Sequence, residues 1–165
     1  MSTAVLSIGA NLGDRLAAVQ GAVDALRPWL VAVSPVFETP PWGPVPQGDY
    51  LNAVVVVTDP GAAPRDWLAR AHSAEQAAGR SREVRWGPRT LDVDVICVDE
   101  VHRDDPDLTL PHPRAAERAF VLVPWLAAVP DARLDGRPVP ELIAVLPADE
   151  RAGVRPRPDL SLEPS

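Results

Sequence analysis

Apolar positions alternate with period two in some stretches of the chain and recur every three to four residues in others. The switches between these periods set the predicted order of elements. Residues 3–9, TAVLSIG, predict a strand. Gly9-Ala10-Asn11-Leu12-Gly13 follows as a tight strand-to-helix turn, with Asn11 as the helix cap. It lacks the full spacing of a dinucleotide-binding glycine loop, so its glycines read as turn residues. Leu12, Leu16, Val19, Val23, Leu26 and Leu30 then recur at helical spacing, with Pro28 weakening the last turn. Residues 31–38 predict a second strand, and Pro35 within it implies an edge or a bulge. Residues 39–49, TPPWGPVPQGD, form a proline-rich loop, and Tyr50–Thr58 is a third, central strand. Pro64 suits a first helical turn, and Trp67, Leu68, Ala71, Glu75 and Ala78 ride a helix that ends at Gly79.

Residues 91–98 alternate as a strand, with Leu91, Val93, Val95 and Cys97 facing the core. Residues 103–113 are acidic and broken by proline. A helix is expected from Arg114 to Ala128, broken at Pro124, then an Asp135-Gly136 turn and a short helix over Glu141–Leu146. Residues 148–165 are rich in Pro, Arg and acids with few apolar positions, which predicts a disordered tail after a single domain of residues 1–147. Strand-helix-strand-strand-helix-strand is the ferredoxin-like βαββαβ pattern: an α+β fold with a mostly antiparallel sheet, helices packed on it and a C-terminal extension.

Composition narrows the chemistry. A chain of 165 residues can bury a real core. Its apolar runs, such as Val54–Val57, are too short to cross a membrane, and MSTAVLSIGA lacks the basic segment of a signal peptide. The single cysteine, Cys97, reads as a small buried hydrophobe, and a cytoplasmic setting is the expectation. A net charge of −7 argues against nonspecific nucleic-acid binding. All 16 cationic residues are arginine, which excludes a Schiff-base lysine and a Walker A loop.

The concentrated chemistry lies in residues 85–94, RWGPRTLDVD. Asp92 and Asp94 sit one strand repeat apart, roughly 6.5–7 Å, on one face. Two such carboxylates repel unless a cation joins them, and Mg²⁺ takes one or two carboxylates while leaving positions for water and phosphate. Arg80, Arg82, Arg85 and Arg89 crowd the loop just upstream, suited to an anionic, metal-bound substrate such as a nucleoside triphosphate. The same residues also read as surface acids on an edge strand beside a solvated loop. Tyr50 and Asn52 share one face of their strand; they could read a flat heterocycle, or the asparagine could serve a turn. Trp42 on its loop reads equally as packing or as a binding group.

Together these pieces resemble the 6-hydroxymethyl-7,8-dihydropterin pyrophosphokinase family of folate biosynthesis. The resemblance runs from about Ala4 to Leu146 through SIGANLGDR, ETPPWGP, DYLNAVV, EQAAGRSR, RWGPRTLDVD and LPHPRAAERAFVL. It implies transfer of pyrophosphate from ATP to the hydroxymethyl group of the reduced pterin, releasing AMP. By this resemblance Asp92 and Asp94 hold two Mg²⁺ ions, and Arg80 and Arg82 lie on a mobile catalytic loop. Trp86 and Arg89 close over ATP, with Glu75, Thr109, His112 and Arg118 at further nucleotide positions. Tyr50 and Phe120 sandwich the pterin, Asn52 reads its amide edge, and Thr39, Pro40 and Trp42 lie beside it. The implied partners are the two small-molecule substrates, with no nucleic acid and no membrane, for a monomer. The other functional class considered is a catalytically silent pterin- or nucleotide-binding module. Four departures from the family pattern are His72 in place of glutamine, Trp42 in place of an aliphatic residue, Pro113 in place of tyrosine, and a one-residue-shorter 80–86 segment.

Overall fold

The structure is a computed structural model and describes residues 2–41, 46–78 and 91–164. Strand β1 (Thr3–Ala10) lies inside an antiparallel sheet, between β4 (Tyr50–Thr58) and β5 (Asp92–Val98). On the outer side of β4 run β2 (Leu30–Val33) and β3 (Phe37–Thr39). Helix α1 (Arg15–Leu26) follows β1, and α2 (Pro64–Ala77) follows β4. This is the ferredoxin-like arrangement expected from the element order, and β4 and β1 are buried almost end to end.

Side-chain alternation gives the sheet two different faces. Ala4, Leu6, Ile8 and Ala10 of β1, with Leu51, Ala53, Val55 and Val57 of β4, join the core that includes Val19 and Val23 of α1 and Trp67 and Ala71 of α2. Val5, Val54 and Val56 point the other way, into a second core built with α3 (Ala119–Ala128).

Five expectations change. Asp14, not Asn11, caps α1: its carboxylate accepts the Ala17 N–H at 3.1 Å. Asn11 instead donates to Gln47 Oε1 at 2.6 Å and Gly48 O at 2.9 Å, pinning the end of β1 to the loop before β4. Gly13, at φ +68, supplies the left-handed turn between them. The helix therefore starts late, and Leu12 is 49% exposed.

The expected strand over 31–38 is two strands. Val33 faces Val55 and Phe37 faces Asn52, so four steps on one strand meet three on β4. Pro35, with no N–H to give the ladder, sits in this irregularity. Likewise Val5 faces Cys97 and Leu6 faces Val95, so Ile96 is an extra residue in β5. This bulge flips the alternation beyond it. Val98 joins Val93 and Val95 under α1 and α2, while Ile96 and the half-buried Cys97 belong to the opposite core. Burial pushes the Cys97 thiol up to about 12, so it is not a nucleophile at neutral pH.

The helix expected at 114–128 begins as a single 3₁₀ turn over Ala115–Glu117. Arg118 is then extended, and α3 runs through Pro124 instead of breaking there. Val121, Leu122 and Trp125 are buried around that proline, and their packing outweighs the one helical hydrogen bond it removes. Hairpins β6–β7 (Arg103–Asp105, Leu108–Leu110) and β8–β9 (Arg133–Leu134, Arg137–Pro138) flank this helix in the chain, and α4 (Val139–Ala144) packs against it.

The C-terminal stretch read as disordered is instead placed. Helix α5 (Ala148–Ala152) is followed by β10 (Arg155–Pro156), antiparallel to β3. Specific pairing replaces apolar burial there. Arg155 meets Asp49 at 2.6 Å, Arg157 meets Glu38 at 3.1 Å, and the Glu163 N–H goes to Gln20 at 2.8 Å. Leu160 and Leu162 add apolar contact against the α1–α2 core.

Candidate active site

The second sheet face is covered by α3 at one end only. At its other end the register brings polar and small residues side by side. Gly9 of β1 lies between Asn52 of β4 and Asp92 of β5; one repeat along, Ser7 lies between Val54 and Asp94. Directly opposed residues share a face, so Asp92 and Asp94 sit two strands away from Tyr50 and Asn52 on one floor. The predicted common orientation of the aspartates, and of Tyr50 with Asn52, holds.

Gly9 makes this floor possible. A β-carbon there would fall 2.8 Å from Asn52 Oδ1 and 3.3 Å from Tyr50 Cδ2. The tyrosine ring and the amide therefore lie across the glycine backbone, where a methyl group would collide. The sequence reading assigned Gly9 to a turn. Strand alternation over TAVLSIG would have placed it on the same face as Ser7, and this was the signal that could have found it.

Asn52 and Thr39 are both almost fully buried, and Asn52 Nδ2 donates to Thr39 Oγ1. That bond fixes the amide plane, because β3 and β4 are paired with Thr39 opposite Tyr50. Pro40 follows Thr39 directly. Thr39, Pro40, Tyr50 and Asn52 thus gather at one corner.

The wall facing this floor comes from the start of α3. The Arg118 guanidinium carbon is 5.4 Å from the Phe120 ring centroid, and Arg118 Nη1 is 3.9 Å from Asp94 Oδ2. Arg118 therefore links the aromatic to the acidic pair. Burial lowers its pKa, and Asp94 and Asp92 oppose that effect. As arginine it stays cationic throughout.

His112 stands beside this group. Its N–H donates to Ile96 O at 2.7 Å, which holds it against β5, and its Nδ1 accepts the Arg114 N–H at 3.2 Å. An accepting Nδ1 on a neutral ring leaves the proton on Nε2. Burial, then Arg118 and Arg114, lowers its pKa to about 4, so the ring is neutral at pH 7. Thr109 lies on β7, half-buried and paired with Asp104, three residues before His112. Glu75 is buried on α2, and its Oε2 accepts the Val93 N–H at 2.9 Å, between the two aspartates on the outer edge of β5. His72 is exposed on α2.

The candidate site residues Arg80, Arg82, Trp86, Arg89 and Trp42 lie outside the described residues. Asp92 and Asp94 are half-exposed, so two carboxylates open to solvent fit a hard cation that keeps water and phosphate as its other ligands. Among the described residues there is no cluster of three or more His, Cys, Asp or Glu that would enclose a metal by protein groups alone.

Comparison with known proteins identifies the family. Residues 5–130 match the model of the family described as 7,8-dihydro-6-hydroxymethylpterin-pyrophosphokinase (HPPK). The 2-amino-4-hydroxy-6-hydroxymethyldihydropteridine pyrophosphokinase of Mycobacterium leprae is 53% identical over 169 residues, 94% of this chain and 88% of that protein. Its counterpart in Mycobacterium tuberculosis H37Rv is 49% identical over 168 residues, 94% of this chain and 89% of that one. That of Pseudomonas aeruginosa is 42% identical over 147 residues, covering 86% and 90%. Among solved structures, wild-type HPPK-DHPS of Plasmodium falciparum superposes with a TM-score of 0.63 at 13% identity, a likeness of fold; it covers 86% of this chain, which spans 44% of that longer one. By sequence over most of its length and by fold, the chain belongs to the 7,8-dihydro-6-hydroxymethylpterin-pyrophosphokinase family of folate biosynthesis.

Proposed function

We propose that this chain transfers the pyrophosphoryl group of ATP to the hydroxymethyl oxygen of 6-hydroxymethyl-7,8-dihydropterin, releasing AMP, and that it does so at the floor of β1, β4 and β5. The observation that carries the reading is the juxtaposition on one sheet face of the Gly9–Tyr50–Asn52 corner with the Asp92–Asp94 pair. A flat heterocycle held at the first delivers its hydroxymethyl arm toward phosphates gathered at the second.

Each group has a physical task in this reading. The buried Asn52 amide, oriented by Thr39, presents a fixed hydrogen-bonding edge to the pterin, with Pro40 beside it and Trp42 assigned as a further pterin contact. Tyr50 and Phe120 offer aromatic faces to the ring. The hydroxymethyl oxygen attacks the β-phosphorus, the bond from that phosphorus to the α–β bridging oxygen breaks, and AMP carries the oxygen away. Alignment and neutralisation of phosphate charge are the main sources of rate in such transfers. Asp92 and Asp94 would hold Mg²⁺, two ions in this reading, which would neutralise phosphate charge and favour ionisation of the hydroxyl. Arg118 lies where it can both contact phosphate and stack on Phe120. Neutral His112 would donate its Nε2–H to a phosphate oxygen, with Thr109 a further nucleotide contact in this reading. In this reading Arg80, Arg82 and Arg89 supply further cations for the phosphates and Trp86 a contact to ATP, with Arg80 and Arg82 catalytic. Glu75 braces β5 at the acidic pair while standing at the nucleotide side. Among the described residues no helix is long and apolar enough to cross a membrane. The reading places the protein in the cytoplasm as a monomer.

The test is direct product analysis with purified protein, ATP, Mg²⁺ and the pterin alcohol. AMP and pterin diphosphate should form in equal amounts, and only when pterin and metal are both present. Pterin binding without AMP would make the chain a silent binding module and overturn the catalytic reading.

A further inference from the structure

The C-terminal segment touches the pterin side of the site at three separate points. The first is the start of α3. Arg118, at the N-cap position, caps nothing with its side chain, so the first N–H groups of the helix need outside partners. Glu150 of α5, thirty-one residues further along the chain, accepts the Ala119 N–H at 3.1 Å. A carboxylate at this end is also favoured by the helix dipole. Ala119 precedes Phe120 directly, so the bond fixes the backbone from which that ring projects.

The second point is Pro40. A β-carbon on Gly153 would lie 3.2 Å from Pro40 Cδ and 3.3 Å from its Cγ. Gly153 has φ −69 and ψ −17, a conformation open to any residue. The close approach to Pro40, and not a turn, is what uses the missing side chain.

The third point is the strand carrying Thr39. Arg155 and Pro156 pair with Glu38 and Phe37, and the Arg157 N–H donates to Val36 O at 2.9 Å. Strand β3 is thereby held between β4 and β10 and is not left as an edge. The Glu38 carboxylate, with Arg15 at 2.6 Å and Arg157 at 3.1 Å, ties the same strand to α1 and to the segment.

Eight consecutive residues, 150–157, thus reach the neighbour of Phe120, Pro40 itself and the strand that orients Asn52 through Thr39. We propose that this segment is a buttress that sets the shape of the pterin subsite, with Glu150 a positioning residue acting through Ala119 on Phe120 and Gly153 a positioning residue acting on Pro40. The inference rests on the pterin reading of that corner.

The test uses the full-length protein and compares pterin with ATP. Glu150→Ala should raise both the Kd and the KM for the pterin about fivefold, the effect of one lost hydrogen bond, with KM for ATP within twofold of wild type. Glu150→Gln keeps an acceptor oxygen and should restore most of the pterin affinity. Gly153→Ala favours the helical backbone of α5, so Tm should hold or rise while pterin KM rises about two- to threefold from crowding of Pro40. Pterin affinity unchanged in both Glu150→Ala and Gly153→Ala would overturn the inference. So would losses shared equally by pterin and ATP and tracking a fall in Tm. Wild-type protein that binds no pterin would overturn the reading beneath it, a result distinct from wild type that binds and variants that bind equally well.

Discussion

Adjacent residues of β1 belong to two different proteins in effect. Leu6 and Ile8 face α1 and α2 and are fully buried in an apolar layer. Ser7 and Gly9 face the other way, onto a floor where α3 withdraws and Asn52, Asp92 and Asp94 are their cross-strand neighbours. One face spends its side chains on stability. The other replaces apolar side chains with polar ones, charge and a close-approach glycine, and the rigid first face keeps those groups in register. Substitutions one residue apart should therefore fail in unlike ways.

The largest effect is expected at the acidic pair. Asp94→Ala should lower turnover at least about a hundredfold, the scale of losing one electrostatic contact to a reacting group. Its thermal midpoint should be close to wild type, because the carboxylate is half-exposed. Turnover near wild type in steady-state AMP release would remove Asp94 from the chemistry. Leu6→Ala should do the reverse. Loss of a fully buried leucine costs about 2–5 kcal/mol of stability in urea unfolding, while pterin affinity per folded molecule stays put. A selective loss of pterin binding in that variant would break the division between the faces.

Gly9→Ala comes next. Its methyl group would press on Asn52 Oδ1 at 2.8 Å, and the displaced amide should cost about 1–3 kcal/mol in pterin binding. Calorimetric titration reads this directly, and wild-type affinity would mean that Tyr50 and Asn52 are not the pterin corner. The smallest effect concerns pH. The folded protein holds His112 near 4, whereas the unfolded chain protonates it near 6.5. The unfolded state thus binds the extra proton between these values. The stability associated with His112 is complete above pH 6.5 and is lost as pH falls through 4. His112→Gln should flatten that part of the pH dependence of the urea midpoint. An unchanged slope would show that the imidazole is not held neutral.

Much of this was legible in the chain. The βαββαβ order followed from period alone, and the shared face of Asp92 with Asp94 followed from strand alternation. Tyr50 with Asn52 on β4, and Asp92 with Asp94 on β5, could be paired because strands place alternate residues predictably. What was missed depends on contacts between distant segments. Gly9 needed the β1–β4 register to show that Tyr50 and Asn52 lie across it. The bulge at Ile96 moved Cys97 to the other core, and nothing local marks an inserted residue in an apolar run. The segment after Leu146 read as disordered because composition counts apolar residues, whereas its order comes from Glu38, Asp49, Gln20 and the Ala119 N–H, partners more than thirty residues away.

The measurement that bears most directly on the central claim is a crystal structure of the protein with the pterin alcohol, Mg²⁺ and a non-hydrolysable ATP analogue. The account predicts the pterin over Gly9 with its edge on Asn52 and its ring between Tyr50 and Phe120, metal ions on Asp92 and Asp94, and the hydroxymethyl oxygen directed at the β-phosphorus. Pterin bound away from the β1–β4 floor, or triphosphate held without contact to the aspartate pair, would contradict it.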